Sequence, residues 1–149
     1  MDSEFGFPPE ILNKDNKDFY YDFEDGLGLV RAHYHPNGGG IVADTAMVDP
    51  SAFVDVTAKI YNNANVGKNC IIIGNSSVYD DAFLNTGVHI EDKVSVFGEA
   101  VLAPHVHLVG HFIVREHTYI GNNVYLVNTN SSPLVFCGDT DITLLEFLE

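Results

Sequence analysis

Through the middle of this chain an aliphatic residue returns at every sixth position. The series runs Val42, Val48, Val54, Ile60, Val66, Ile72, Val78, Leu84, Ile90, Val96, Leu102, Leu108, Val114, Ile120 and Leu126. A second series follows four places behind each aliphatic: Ala46, Ala52, Ala58, Ala64, Cys70, Ser76, Ala82, Val88, Val94, Ala100, Val106, Phe112, Thr118 and Val124. Its members are small or medium-sized except Phe112. A helix does not account for a period of six, because six steps of about 100° send successive aliphatics in three directions. A strand does, because residues two, four or six apart share one face. Each aliphatic and the small residue two before it therefore point inward, and the neighbours of the aliphatic point outward. The two remaining positions of each hexad hold Asp49-Pro50, Asn62-Asn63, Lys68-Asn69, Gly74-Asn75, Asp80-Asp81, Gly98-Glu99, Gly110-His111 and Asn122-Asn123. Asn, Asp and Gly accept the backbone angles of tight corners.

Short strands separated by corners predict a solenoid, since one such strand cannot bury its apolar side alone. The aliphatic, the polar or Gly spacer and the small residue resemble the hexapeptide-repeat family over Ile41–Val127. That resemblance implies an all-β, left-handed parallel β-helix with three hexapeptides to each triangular coil of eighteen residues. Fifteen hexapeptides then make about five coils, and the family implies a parallel homotrimer. The segment HPNGGGIVADTA (His35–Ala46) also resembles the entry segment of bacterial and phage hexapeptide-repeat proteins of unassigned activity.

The register divides the chain into a cap and hinge over residues 1–40, the repeat over 41–127 and an extension over 128–149. FYYDF (Phe19–Phe23) and LGLVRAHYH (Leu27–His35) read as two strands around Asp25-Gly26, a hairpin lying over the first coil. Gly38-Gly39-Gly40 lacks the Lys-Ser/Thr of a phosphate loop and reads as a hinge. The tail Asp139–Glu149 fits either a strand or a short helix with Ile142, Leu145 and Leu148 on one face, serving as a cap or packing on a neighbouring subunit.

Residues eighteen apart stack on adjacent coils about 4.8 Å apart, so outward columns can be read directly. One column is Phe53, Ile71, His89, His107 and Tyr125. Beside it run Asp55, Ile73, Glu91, Val109 and Val127. Another holds Tyr61, Tyr79, Phe97 and Arg115. This much outward apolar surface predicts self-association, with Phe53, Ile71, Ile73, Val109, Tyr125 and Val127 on the oligomer face.

Charge narrows the partners. Eight acids oppose three bases in residues 1–40, nine oppose four in 41–127, and four stand alone in 128–149, giving −14 over the chain. Direct binding to nucleic acid or to an anionic membrane is not expected. No basic-plus-apolar leader and no apolar run of membrane-spanning length are present, and two cysteines make no disulfide framework. A cytoplasmic setting is expected, the host cytoplasm if the gene is viral. Asp44, Asp80 and Glu116 recur every thirty-six residues on one corner, and Asp81 and Glu99 take the next position of that corner. They form a candidate edge for a basic partner.

The histidines are the other candidate chemistry. His105, His111 and His117 sit on successive corners, one triangle side of about 15–20 Å apart, and cannot share a metal within a chain. No trio has the spacing used by the family's carbonic anhydrase branch, so no zinc site is carried over. His89 and His107 stack, with Glu91 beside His89, and form the best acid–base group. The family's acyltransferases place a catalytic His at a subunit boundary. The resemblance thus implies a coenzyme A-dependent acyltransferase as one alternative. Against it stand the absence of a long loop in the repeat and the few cations available for the coenzyme's phosphates. The favoured expectation is an acidic, oligomeric, non-catalytic scaffold without a cofactor, including a phage or prophage protein that inhibits a basic host protein.

Overall fold

The computed structural model describes residues 18–143, and Leu145 and Leu148 lie outside that range. β1 (Asp18–Asp22) and β2 (Leu29–Tyr34) form an antiparallel hairpin. The first coil carries β3 (Ile41–Ala43), β4 (Met47–Val48) and β5 (Phe53–Val54), and the second β6 (Lys59–Ile60), β7 (Asn65–Val66) and β8 (Ile71–Ile72). The third carries β9 (Ser77–Val78) and β10 (Phe83–Leu84), then enters β11 (His89–Val96), which bends through a corner into the fourth. β12 (Val101–Leu102) and β13 (His107–Val114) repeat that pattern, and β14 (Tyr119–Ile120) with β15 (Tyr125–Asn128) completes the fifth. β16 (Leu134–Phe136) and β17 (Asp141–Ile142) follow. No helix occurs among the described residues, so none is long and apolar enough to cross a membrane.

Coils pair in parallel at the eighteen-residue spacing read from the sequence, as in Met47↔Asn65, Phe53↔Ile71 and Lys59↔Ser77. The aliphatic positions from Val54 through Ile120 are almost wholly buried, and so are their small companions. The polar companions keep their hydrogen bonds. Ser76 Oγ donates to the Ile73 carbonyl at 3.0 Å and accepts from the Val94 amide at 3.2 Å, while Thr118 Oγ1 donates to Arg115 at 2.8 Å. A hydroxyl in this slot thus satisfies a corner carbonyl that burial would otherwise leave bare.

Corners use left-handed backbone at fixed places. Asn62, Asp80, Gly98 and Glu116 form one such series and Asn69, Gly87, His105 and Asn123 another, each stepping by eighteen. Side chains brace these corners from coil to coil. The Asp80 amide donates to Asn62 Oδ1 at 3.2 Å, Gly98 to Asp80 Oδ2 at 3.0 Å and Gly138 to Glu116 Oε1 at 2.5 Å.

The stack is longer than about five coils. After β15 the spacing changes from eighteen to twenty-two, giving Ile113↔Val135 and Tyr119↔Asp141. Four extra residues bulge out near Asn128–Pro133, and β16 and β17 then supply two sides of a sixth coil. The bulge is tied down by His111, whose Nδ1 hydrogen bonds to the Ser131 carbonyl at 2.8 Å, and by Asn128 Nδ2, which donates to His111 and Ser132 carbonyls at 2.8 and 3.1 Å. Phe112, the one large companion, lies against Phe136 of this last coil, with ring centroids 6.3 Å apart.

At the other end β2 pairs antiparallel with β3, so the hairpin continues one side of the prism as β1-β2-β3. Phe19, Phe23, Ala32 and Ala43 make a small second core beneath it. The segment after the hairpin covers the edge of β5: Gly40 N donates to Val54 O at 2.9 Å and Val54 N to Asn37 O at 3.0 Å. A Cβ on Gly38 or Gly40 would collide with Val54, which explains the glycine run. His35 is buried and donates Nε2–H to the Ala52 carbonyl at 2.8 Å; burial lowers its pKa, which favours this neutral form.

Candidate functional site

Two groups of side chains stand out, one at a corner and one on a flat side.

The corner group is a groove between the hairpin and the second to fourth coils. Phe23, Tyr61 and Tyr79 of its lining belong to an aromatic ladder that continues to Phe97. Phe23 stacks on Tyr61 with centroids 4.6 Å apart, Tyr61 on Tyr79 at 4.7 Å, and Tyr79 on Phe97 at 4.7 Å. Tyr61 and Tyr79 are half-buried, and both phenol pKa values are raised, first by burial and then by nearby negative charge. The walls are acidic: Glu24 and Asp25 from the hairpin turn face Asp80, Asp81 and Glu99 across a volume of about 880 Å³. Neither Lys nor Arg occurs among the described lining residues. Asp25 is fixed by the Leu27 amide at 3.0 Å and by Asn62 Nδ2 at 2.9 Å, which hold its carboxyl pKa below the usual value.

The five acids of the candidate edge separate here by position. Asp80, Asp81 and Glu99 line the groove. Asp44 turns to the hairpin instead, bonding His33 Nδ1 at 2.7 Å and Arg31 Nε at 3.4 Å. Glu116 lies a coil further on, where it braces Gly138. Glu99 also meets His117 Nε2 at 2.5 Å. Glu24, Asp25 and Phe23 completed the groove without appearing in the sequence-derived edge. The stepping of Tyr61, Tyr79 and Phe97 showed part of the ladder.

The flat-side group is His89, Glu91 and His107. β11 and β13 pair His89 with His107 in register, and the imidazoles stack at 4.0 Å. His89 Nε2 lies 3.0 Å from Glu91 Oε1. Tyr125 follows His107 at 4.4 Å. The His107 pKa is lowered, mainly by burial and then by His89, with Glu91 opposing. Phe53, Ile71, Tyr125 and Val127 flank this group at 36%, 37%, 60% and 54% exposure, a row of accessible apolar residues beside it. The corner histidines stay apart: His105 packs against Gly87, His111 holds the bulge, and His117 meets Glu99. None belongs to a metal-capable grouping found among the described residues.

Repeating hexads, three sides to a coil and an eighteen-residue parallel register decide the architecture. The chain has the hexapeptide-repeat, left-handed β-helix fold. No protein-family model matches this β-helix, and no curated protein sequence matches it. Among solved structures it is similar to perosamine N-acetyltransferase from Caulobacter crescentus, a mutant in complex with CoA and GDP-perosamine. The two are 19% identical with a TM-score of 0.49, over 65% of this chain and 52% of that chain. The chain thus spans about half of that enzyme, and a likeness this distant does not carry its activity across.

Cys70 adds no chemistry to either group. Burial raises its thiol pKa to about 11, and Sγ lies 3.0 Å from the Asn85 carbonyl.

Proposed function

We propose that this chain is a non-catalytic, oligomeric binding protein whose corner groove receives a cationic segment of a protein partner. The observation that carries this reading is the aromatic ladder walled by five carboxylates. A carboxylate takes the charge of a Lys or Arg head, while its methylene stem packs along the ring edges that the stacked ladder leaves open. Successive rungs offer this pairing at about 4.8 Å intervals. Titration with a short Lys- and Arg-rich peptide, beside the same peptide carrying Glu, tests it.

Self-association belongs to the same proposal, with Phe53, Ile71, Ile73, Val109, Tyr125 and Val127 on the buried face. Tyr125→Glu combined with Ile71→Glu is expected to lower the mass measured by light scattering from a trimer to a monomer. A monomeric parent protein would remove this part of the proposal.

One observation favours acyl transfer as a second reading. Glu91 orients the His89 imidazole as a carboxylate orients a general base. Under the binding proposal, millimolar acetyl-CoA produces no saturable rise in melting temperature. A ligand at a hundred times its Kd would add about 2.7 kcal/mol to folding stability, which is easily seen. A saturable rise, with turnover lost in His89→Ala, would replace the binding reading by the enzymatic one.

A further inference from the structure

The carboxylate of Glu91 and the two stacked imidazoles share more than an acid–base arrangement. One donor atom from each of His89, Glu91 and His107 can be chosen so that all three lie within 4.8 Å of one another. Two imidazoles on one tetrahedral ion of zinc size have their nitrogens about 3.3 Å apart, so closing the set requires the stacked rings to part and turn their nitrogens toward a common point. The rotation is local, because both rings project outward from paired strands.

We infer that His89, Glu91 and His107 form a binding site for a divalent transition metal of the zinc class, one ion to each chain.

Three features support it. Two nitrogens and one carboxylate oxygen suit Zn²⁺ or Co²⁺ better than Mg²⁺ or Ca²⁺, which prefer all-oxygen sets. Parallel pairing holds the histidines in register over eight residue pairs, so the spacing of the donors is built into the sheet. Asp55 and Asp92 line the adjoining depression with Glu91 and add negative potential. Three protein donors leave a coordination position for water or for a group from another molecule.

The eighteen-residue step already placed these three side chains together as an acid–base group, with no metal expected there. The corner histidines fail on distance, while His89 and His107 succeed because eighteen residues separate neighbours on the same side. The second acid–histidine grouping, Asp18, His33 and Asp44, carries less, because Arg31 already bonds Asp18 and Asp44.

The test is titration of the full chain with Co²⁺, read by visible absorption, and with Zn²⁺, read by calorimetry, both in a large excess of Mg²⁺. One ion per chain is expected, with visible bands of a low-coordinate nitrogen-ligated Co²⁺. His107→Ala and His89→Ala are expected to weaken binding by at least about tenfold while circular dichroism stays that of the parent. Glu91→Gln keeps side-chain size and asks the same question where an alanine variant fails to fold. Lack of saturable binding, displacement by Mg²⁺, or equal affinity in folded variants would each overturn the site.

Discussion

Phe112→Ala is expected to lower folding stability by about 3–5 kcal/mol, the largest loss for any single companion position. Its ring is completely buried and sits where every other coil has a small or medium residue. The last coil keeps ordinary parallel pairing to β13 while the bulge takes up the four extra residues, and the Phe112 ring packs against Phe136 of that coil. Alanine would leave a cavity between the fifth and sixth coils that neither strand can close without giving up its register. A solenoid transmits such damage to nearest neighbours, so protection from hydrogen exchange should fall first in β16 and β17. Phe136→Ala should cost less, because that ring is already partly exposed. Chemical denaturation of the two variants, with exchange mapped by mass spectrometry, checks the order. Equal losses, or a loss confined to the first coils, would contradict this packing.

Asp81→Asn combined with Glu99→Gln is expected to weaken binding of a cationic peptide by about five- to thirtyfold, without a fall in melting temperature. Both residues are exposed at the groove wall and neither fills the core; the contact of Glu99 with His117 is itself exposed and contributes little to stability. Asp80 is left in place because it accepts the Gly98 amide at 3.0 Å and serves the corner as well as the groove. Asp80→Ala should therefore show a stability cost that the double variant lacks, because alanine offers the Gly98 amide no acceptor and sits poorly at the left-handed corner, φ 56°. Tyr79→Ala removes the central rung and should reduce affinity at unchanged salt dependence, since the packing of methylene stems on the ladder involves no charge. Asp44→Asn should leave peptide binding alone, because that carboxylate is engaged with Arg31 and His33. Affinity measured by fluorescence anisotropy across salt concentration separates these roles. An unchanged affinity in Asp81→Asn/Glu99→Gln would remove the groove walls from recognition.

The repeat made the architecture legible because one hexad does one job. Each inward aliphatic, from Val42 to Leu126, announces a strand side, and the eighteen-residue step announces the pairing. A fixed period fails where the chain inserts residues. The extra four near Asn128–Pro133 hide β16 and β17 from any count in sixes, although Phe136 and Ile142 pack on the same core. The groove was half legible for a related reason. Tyr61, Tyr79 and Phe97 step by eighteen and declare a column, but Phe23 joins it through the docking of a hairpin that follows no repeat. Asp44 shows the reverse case, a residue in register whose side chain is drawn away by local partners. Glu116 and Asp80 show that a corner acid can be a brace to the next amide before it is a recognition element.

The most direct measurement is calorimetric titration of the full chain with a Lys- and Arg-rich peptide at physiological salt, beside its Glu-bearing counterpart. The binding account predicts a saturable isotherm for the cationic peptide, none for the acidic one, and clear weakening in Asp81→Asn/Glu99→Gln. A flat titration with the cationic peptide, or one that the double variant reproduces in full, would contradict it.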